Sequence, residues 1–179
     1  MKTGIVIVDH GSRRTQSNEM LEEVARLFGE RFREKYEIVE PAHMELAEPS
    51  IASAYARCVE RGAERVVVCP FFLGPGKHWT ADIPKLTADA AGQHPGTRYH
   101  VAMPLGIDEL ILDLLEKRVR WCTDHSLSCD SCRGTIRSGE PGVVVPMEDE
   151  KKSNGQCSTC PFVVQPDGTI IDKRKVTTV

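Results

Sequence analysis

The stretch RVVVCPFF, Arg65 to Phe72, is apolar at almost every position. A strand with one wet face alternates polar and apolar residues, whereas an unbroken β-branched run fits a strand covered by helices on both faces, as in a parallel sheet. Its surroundings repeat the pattern. Thr3 to Asp9 and Ile38 to His43 upstream, and Tyr99 to Met103 downstream, are short strand-like runs, each followed by a segment of helical period. After the first run, Met20, Leu21, Val24, Leu27, Phe28 and Phe32 recur at spacings that share one helix face. The second helix opens at Pro49-Ser50, carries Ile51, Ala54, Tyr55, Cys58 and Val59 on one side, and closes at Gly62. The third begins around Asp82 with Pro84 in its first turn, and Asp108 caps a fourth bearing Leu110, Ile111, Leu114, Leu115 and Val119. Strand and helix in alternation predict right-handed βαβ units. The expected fold is therefore α/β, an open parallel four-stranded sheet of order 2-1-3-4 with helices on both faces.

At 179 residues and 40% hydrophobic content, the chain has room for one ordinary domain and a small appendage. The alternating pattern stops after Trp121, so residues 1–121 are expected to form the α/β domain and 122–179 an irregular extension. Within the extension, GVVVP reads as a short strand and FVVQPDGTIID as a hairpin turned by Pro166, Asp167 and Gly168. Such a polar tail is too small for a core of its own, and a bound metal is the natural staple. The net charge of −3 provides no general field for nucleic acid or an anionic membrane, and neither is an expected partner. No run approaches ~18 apolar residues, and Met1 leads into a strand without a secretory leader. The expectation is a soluble, cytoplasmic protein; a mature plastid protein would look the same.

Five of the seven cysteines, Cys122, Cys129, Cys132, Cys157 and Cys160, crowd into the last third. Cys129/Cys132 and Cys157/Cys160 are two CxxC pairs, a strong metal signal in a chain without a secretory leader. Four thiolates can hold a tetrahedral zinc or an iron-sulfur cluster, or serve as redox dithiols, and the gap between the pairs does not decide which. Cys58 and Cys69 fall on a helix face and inside a strand and are expected to be core residues.

In open α/β sheets the ligand crevice lies beyond the carboxyl ends of the strands, where the strand order reverses. His10 follows the first strand, Glu45 the second and His78 the third. In the order 2-1-3-4 they would span roughly 10 Å, two strand spacings. Two imidazoles with a carboxylate nearby can hold a divalent metal, accept protons, or do both. A lone histidine at such a place is more often a hydrogen-bonding residue; what favours a site is that all three fall at strand exits. His43, His94, His100 and His125 lack that placement and read as structural or solvated. Arg13, Arg14 and Lys77, beside the two histidines, offer local positive charge to an anionic ligand, although any one of them could be a solvated loop charge.

The segments DHGSRRTQSNE, MELAEPSI and VVVCPFFLGPGKHW resemble the class II chelatases of tetrapyrrole synthesis, the family of sirohydrochlorin ferrochelatase and the anaerobic cobaltochelatase, over about residues 1 to 120. The resemblance implies a chelatase-like, flavodoxin-like fold and a lyase that inserts Fe2+, or alternatively Co2+, into sirohydrochlorin for siroheme or cobalamin biosynthesis. It implies that His10 and His78 bind the incoming metal and take the pyrrole protons, with Glu45 as third ligand or proton relay. Arg13, Arg14 and Lys77 would meet the substrate carboxylates. It further implies a homodimer of single-domain chains, and an iron-sulfur cluster on Cys129, Cys132, Cys157 and Cys160, with Cys122 as substitute ligand and zinc as the alternative. Two other classes compete. A non-catalytic metal carrier could present the same histidines but has no need of flanking cations. A histidine phosphatase also places His-Gly after its first strand, yet wants arginine before the histidine, where this chain has Asp9.

Overall fold

The structure, a computed structural model, describes residues 1–124, 162–164 and 170–172. It divides into two compact units, Met1–Ile107 and Asp108–Val179. In the first unit, β1 (Thr3–Asp9), β2 (Ile38–His43), β3 (Arg65–Pro70) and β4 (Arg98–Val101) form one parallel sheet of order β2-β1-β3-β4, the expected order. Between them run α1 (Thr15–Arg31), α2 (Ile51–Glu60) and α3 (Ile83–Gly92).

The apolar runs are continuous because both faces of the sheet are covered. Val6, Val8, Val66 and Val68 pack on one face with Ile51, Ala54, Tyr55 and Cys58 of α2 and Ile83 and Ala90 of α3. Ile5 and Ile7 turn to the other face, against Leu21 and Ala25 of α1. On α1 the buried stripe is narrower than its apolar content suggests: Leu21, Ala25 and Phe28 face the sheet, whereas Met20, Leu27 and Phe32 are exposed. Leu21, Ala25 and Phe28 are four and three residues apart, one seam of the helix, and the remaining apolar residues fall beside it. Glu40 is buried within β2, its charge matched by Arg61 at 2.6 Å and Arg57 at 3.7 Å.

The boundaries of α2 follow the sequence signals. Ser50 Oγ accepts the Ser53 N–H at its start, and at its end Gly62 (φ +88°) lets its own N–H reach Val59 O and that of Ala63 reach Cys58 O. Three other boundaries differ from expectation. β3 stops at Pro70, which has no N–H to continue a ladder, and β4 runs from Arg98 to Val101. The third helix starts before Asp82, with a π-turn over His78–Asp82 in which the Ile83 N–H bonds His78 O.

In the second unit, α4 (Glu109–Asp124) is capped as expected, Asp108 Oδ1 accepting the Leu110 N–H at 2.9 Å. Its Leu110, Leu114, Leu115 and Val119 are exposed rather than buried. β5 (Phe162–Val164) and β6 (Ile170–Asp172) pair antiparallel, the two arms of the expected hairpin. Its turn, the GVVVP segment, His125 and Cys129, Cys132, Cys157 and Cys160 lie outside the described residues, as does the side chain of Cys122.

One close approach in the sheet is testable. A Cβ on Gly4 would lie 2.8 Å from Cys58 Cβ and 2.9 Å from its Sγ, so β1 and α2 touch only because residue 4 has no side chain. Gly4→Ala is expected to cost about 1–3 kcal/mol through overpacking, read as a lower urea midpoint at unchanged slope; an unchanged midpoint would mean that α2 can shift freely.

Candidate active site

β1 is flanked by β2 and β3, and its pairing with both continues past the strand ends. The Met44 N–H donates to Asp9 O at 2.9 Å and the Glu45 N–H to His10 O at 3.2 Å on one side; the Phe71 N–H donates to Val8 O at 2.7 Å on the other. These bonds put His10 in the middle. Its Nε2 stands 3.6 Å from Glu45 Oε2, and its ring meets that of His78 edge to face with centroids 5.2 Å apart. The two imidazoles thus stand about one strand spacing apart. All three are about half exposed.

Hydrogen-bond partners bear on which nitrogens face the opening. His10 Nδ1 lies 3.2 Å from Gly11 O, a carbonyl that can only accept, so a proton on Nδ1 suits that contact, while Nε2 faces Glu45. His78 Nδ1 donates to Asp82 Oδ2 at 2.9 Å, so in the neutral ring Nε2 is the nitrogen with the lone pair. Phe72 stacks near the His78 ring, 6.4 Å between centroids, and Trp79 Nε1 donates to Ala102 O, tying the π-turn to the exit of β4.

The loop that carries His10 is pinned from below. Gly11 adopts φ +81°, where a Cβ would lie 3.1 Å from that of His43, and its N–H donates to Asp9 Oδ1 at 2.8 Å. The same oxygen accepts from His43 Nδ1 at 2.6 Å, and His43 is wholly buried. Asn18 then clamps the backbone of Ser12 twice, accepting its N–H and donating to its carbonyl. The sequence marks Asp9 only as a strand terminus and leaves His43 structural or solvated; the structure buries His43 and gives it Asp9 as partner. Asp82 was equally missed, although a His-x-x-x-Asp spacing at a helix start is a readable signal.

Of the three basic candidates, Arg13 and Lys77 are exposed on the loops bearing His10 and His78. Arg14, also exposed, forms the N-cap position of α1 with its backbone N–H on Ser12 Oγ. Burial pushes the Cys58 thiol up to about 12 and raises that of Cys69, so neither supplies a thiolate near neutral pH. Among the described residues no three His, Cys, Asp or Glu groups form a ready-made metal cage. What the strand exits offer is an open edge with two imidazole lone pairs and a carboxylate, able to accept protons and to ligate an ion in passing.

The profile of the CbiX family matches residues 4–121. The chain is 54% identical over 136 residues to the chloroplastic sirohydrochlorin ferrochelatase of Arabidopsis thaliana, covering 74% of this chain and 60% of that protein. It is 44% identical over 82 residues to the sirohydrochlorin cobaltochelatase of Methanocaldococcus jannaschii, covering 46% of this chain and 56% of that protein. Among solved structures, the sirohydrochlorin chelatase SirB of Bacillus subtilis subspecies spizizenii, in complex with cobalt, matches with a TM-score of 0.59 at 33% identity, over 67% of this chain and 50% of that one. The fold is thus the one seen in that chelatase. The chain spans only half to three fifths of the length of these proteins. The family match ends at residue 121, whereas the likeness to the Arabidopsis protein covers more of the chain and so continues beyond it.

The support beneath His10 can be tested apart from any activity. His43→Leu removes one of two donors from Asp9 and should cost about 1–3 kcal/mol, lowering the thermal midpoint; His43→Asn, which keeps a donor, should lose less. Equal losses in both variants would show that packing, not the Asp9 bond, is what His43 contributes.

Proposed function

The chain belongs to the CbiX family, and from that premise we propose that it is a sirohydrochlorin chelatase, a lyase that inserts a divalent metal into sirohydrochlorin. The observation that carries the reading is the pair of imidazoles 5.2 Å apart at the strand exits, with Glu45 3.6 Å from His10. Metal insertion exchanges two pyrrole N–H protons for one divalent ion, so a catalyst must present the ion and remove the protons. A neutral imidazole suits both tasks, and His10 and His78 would supply two of them. Glu45, 3.6 Å from His10, would serve as a third ligand or receive a proton from it. Arg13, Arg14 and Lys77 flank the two histidines and suit the carboxylates around the macrocycle. Iron stands before cobalt as the metal because the likeness to an iron-inserting relative is the higher one. The product would then feed siroheme formation, and cobalamin formation if the metal is cobalt. A metal carrier would not require the flanking cations. A phosphatase reading is disfavoured because Asp9 occupies the place of its arginine and is held by His43 and Gly11.

Assembly as a homodimer is part of the proposal: one copy matches half of the solved chelatase chain, and a second copy would supply the other half. For the compartment, no helix among the described residues is long and apolar enough to cross a membrane. The likeness to a chloroplastic enzyme supports the plastid alternative over the cytoplasmic one.

The test is anaerobic incubation of the purified protein with sirohydrochlorin and Fe2+ or Co2+, followed by absorbance. His10→Ala and His78→Ala are each expected to slow metallation about 100-fold or more, the scale of losing a positioned base or ligand, and Glu45→Gln to slow it less. Wild-type rates in both histidine variants would remove the site from the reaction.

The reading also assigns an iron-sulfur cluster to Cys129, Cys132, Cys157 and Cys160, with Cys122 as substitute ligand and zinc as the alternative occupant. The donor chemistry fits, since two CxxC pairs supply four thiolates and the two remaining cysteines are held as thiols by burial. When bound, such a cluster supplies one-electron redox chemistry, which metal insertion as written does not use. Anaerobically purified protein should be brown, with iron and acid-labile sulfide in comparable amounts, and Cys→Ser at a ligand should bleach it. Colourless protein with about one zinc per chain would replace the cluster by a zinc site and leave the histidines' role untouched.

A further inference from the structure

The two imidazoles of the site are not held alike. His10 Nδ1 meets only the carbonyl of the next residue, at 3.2 Å, while His78 Nδ1 meets the carboxylate of Asp82 at 2.9 Å. That second bond is an i,i+4 pair spanning the π-turn over His78–Asp82, with His78 on its first residue and Asp82 on its last. The turn is anchored at both ends: Thr80 N–H bonds Gly76 O before it and the Ile83 N–H bonds His78 O across it. Trp79, between the two, is fixed to Ala102 O. His78 Nε2 has no hydrogen-bond partner among the described residues. π-turns within helices concentrate at functional sites, and a carboxylate behind a histidine is the usual way to choose the nitrogen that ligates a metal.

We propose that Asp82 is a positioning residue for metal presentation: its carboxylate fixes the proton of His78 on Nδ1, so that Nε2 is the nitrogen offered to the incoming divalent ion. The inference rests on the chelatase reading for its function but not for its geometry. It divides the labour of the site. His78, backed by Asp82, is the arm that holds the ion, and His10, beside Glu45, is the arm without an anionic anchor on Nδ1. Asp82 touches neither the tetrapyrrole nor the ion; it acts through His78.

Two measurements on the full chain test this separately. In long-range 1H–15N spectra of metal-free protein near pH 8, where an ordinary imidazole is neutral, His78 should be the Nδ1–H tautomer, and Asp82→Ala should shift it toward Nε2–H. This readout needs neither metal nor tetrapyrrole, so it stands even if wild-type protein metallates nothing, the result that would sink the chelatase reading alone. Co2+ titrated into the same proteins without tetrapyrrole, followed by visible absorbance, should bind about 10–100-fold more weakly to Asp82→Ala. Asp82→Asn, which keeps an acceptor for the Nδ1–H, should recover part of the loss. In turnover, Asp82→Ala should raise the metal concentration needed for half-maximal rate and leave KM for sirohydrochlorin unchanged. A His78 that stays in the Nδ1–H form in Asp82→Ala, or Co2+ affinity equal to wild type, would overturn the proposal. So would equal loss in the Ala and Asn variants.

Discussion

The site depends on the register of one strand. β1 is paired through Gly4–Asp9 to β2 and through Thr3–Val8 to β3, and backbone bonds carry both pairings past the strand ends to His10, Glu45 and Phe71. A slip of one residue would move the chain by about 3.3 Å, nearly the whole distance between His10 and Glu45. Such a slip would also exchange the faces of Ile5, Val6, Ile7 and Val8, all buried, at a cost shared by every strand contact. Hydrophobic burial on two faces therefore does more than stabilise the domain. It fixes where the imidazole stands.

Beneath the half-exposed site lies a part-buried set of polar bonds around the wholly buried His43. Asp9 Oδ1 takes donors from Gly11 and His43, and this one atom joins the end of β1, the turn that follows it and the end of β2. An unmatched charge there would be expensive, so the geometry of the loop is tied to the stability of the fold. Glu40 is treated in the same way at the other end of β2, with Arg61 and Arg57 as its partners. The groups above are left open. His10, Glu45 and His78 make few bonds of their own, and His78 alone has a carboxylate behind it. The support is bonded from several sides, and the groups above it stand half exposed.

Much of this was legible along the chain. The unbroken apolar runs announced a sheet covered on both sides, Ser50 and Gly62 marked the ends of α2, and three chemistry-bearing residues stood at three strand exits. Periodicity, caps and turn residues act over a few neighbours, so a sequence displays them directly. The motifs carried a resemblance to a chelatase family, which no periodicity could. What the chain by itself did not disclose were the relations between distant positions. His43 lies 34 residues from the Asp9 it bonds, and nothing local distinguishes it from a histidine that packs without a partner. The choice of Leu21, Ala25 and Phe28 as the buried seam of α1, with Met20 and Leu27 left outside, is made by how the helix rotates against the sheet. The early π-turn start of the third helix, which brings Asp82 to His78, is likewise set by anchors at Gly76 and Ala102. Sequence thus determined the elements, their order and the residue types at the site. Tertiary structure decided the distances and the supporting bonds, because these follow from strand register and packing across the whole domain rather than from neighbours in the chain.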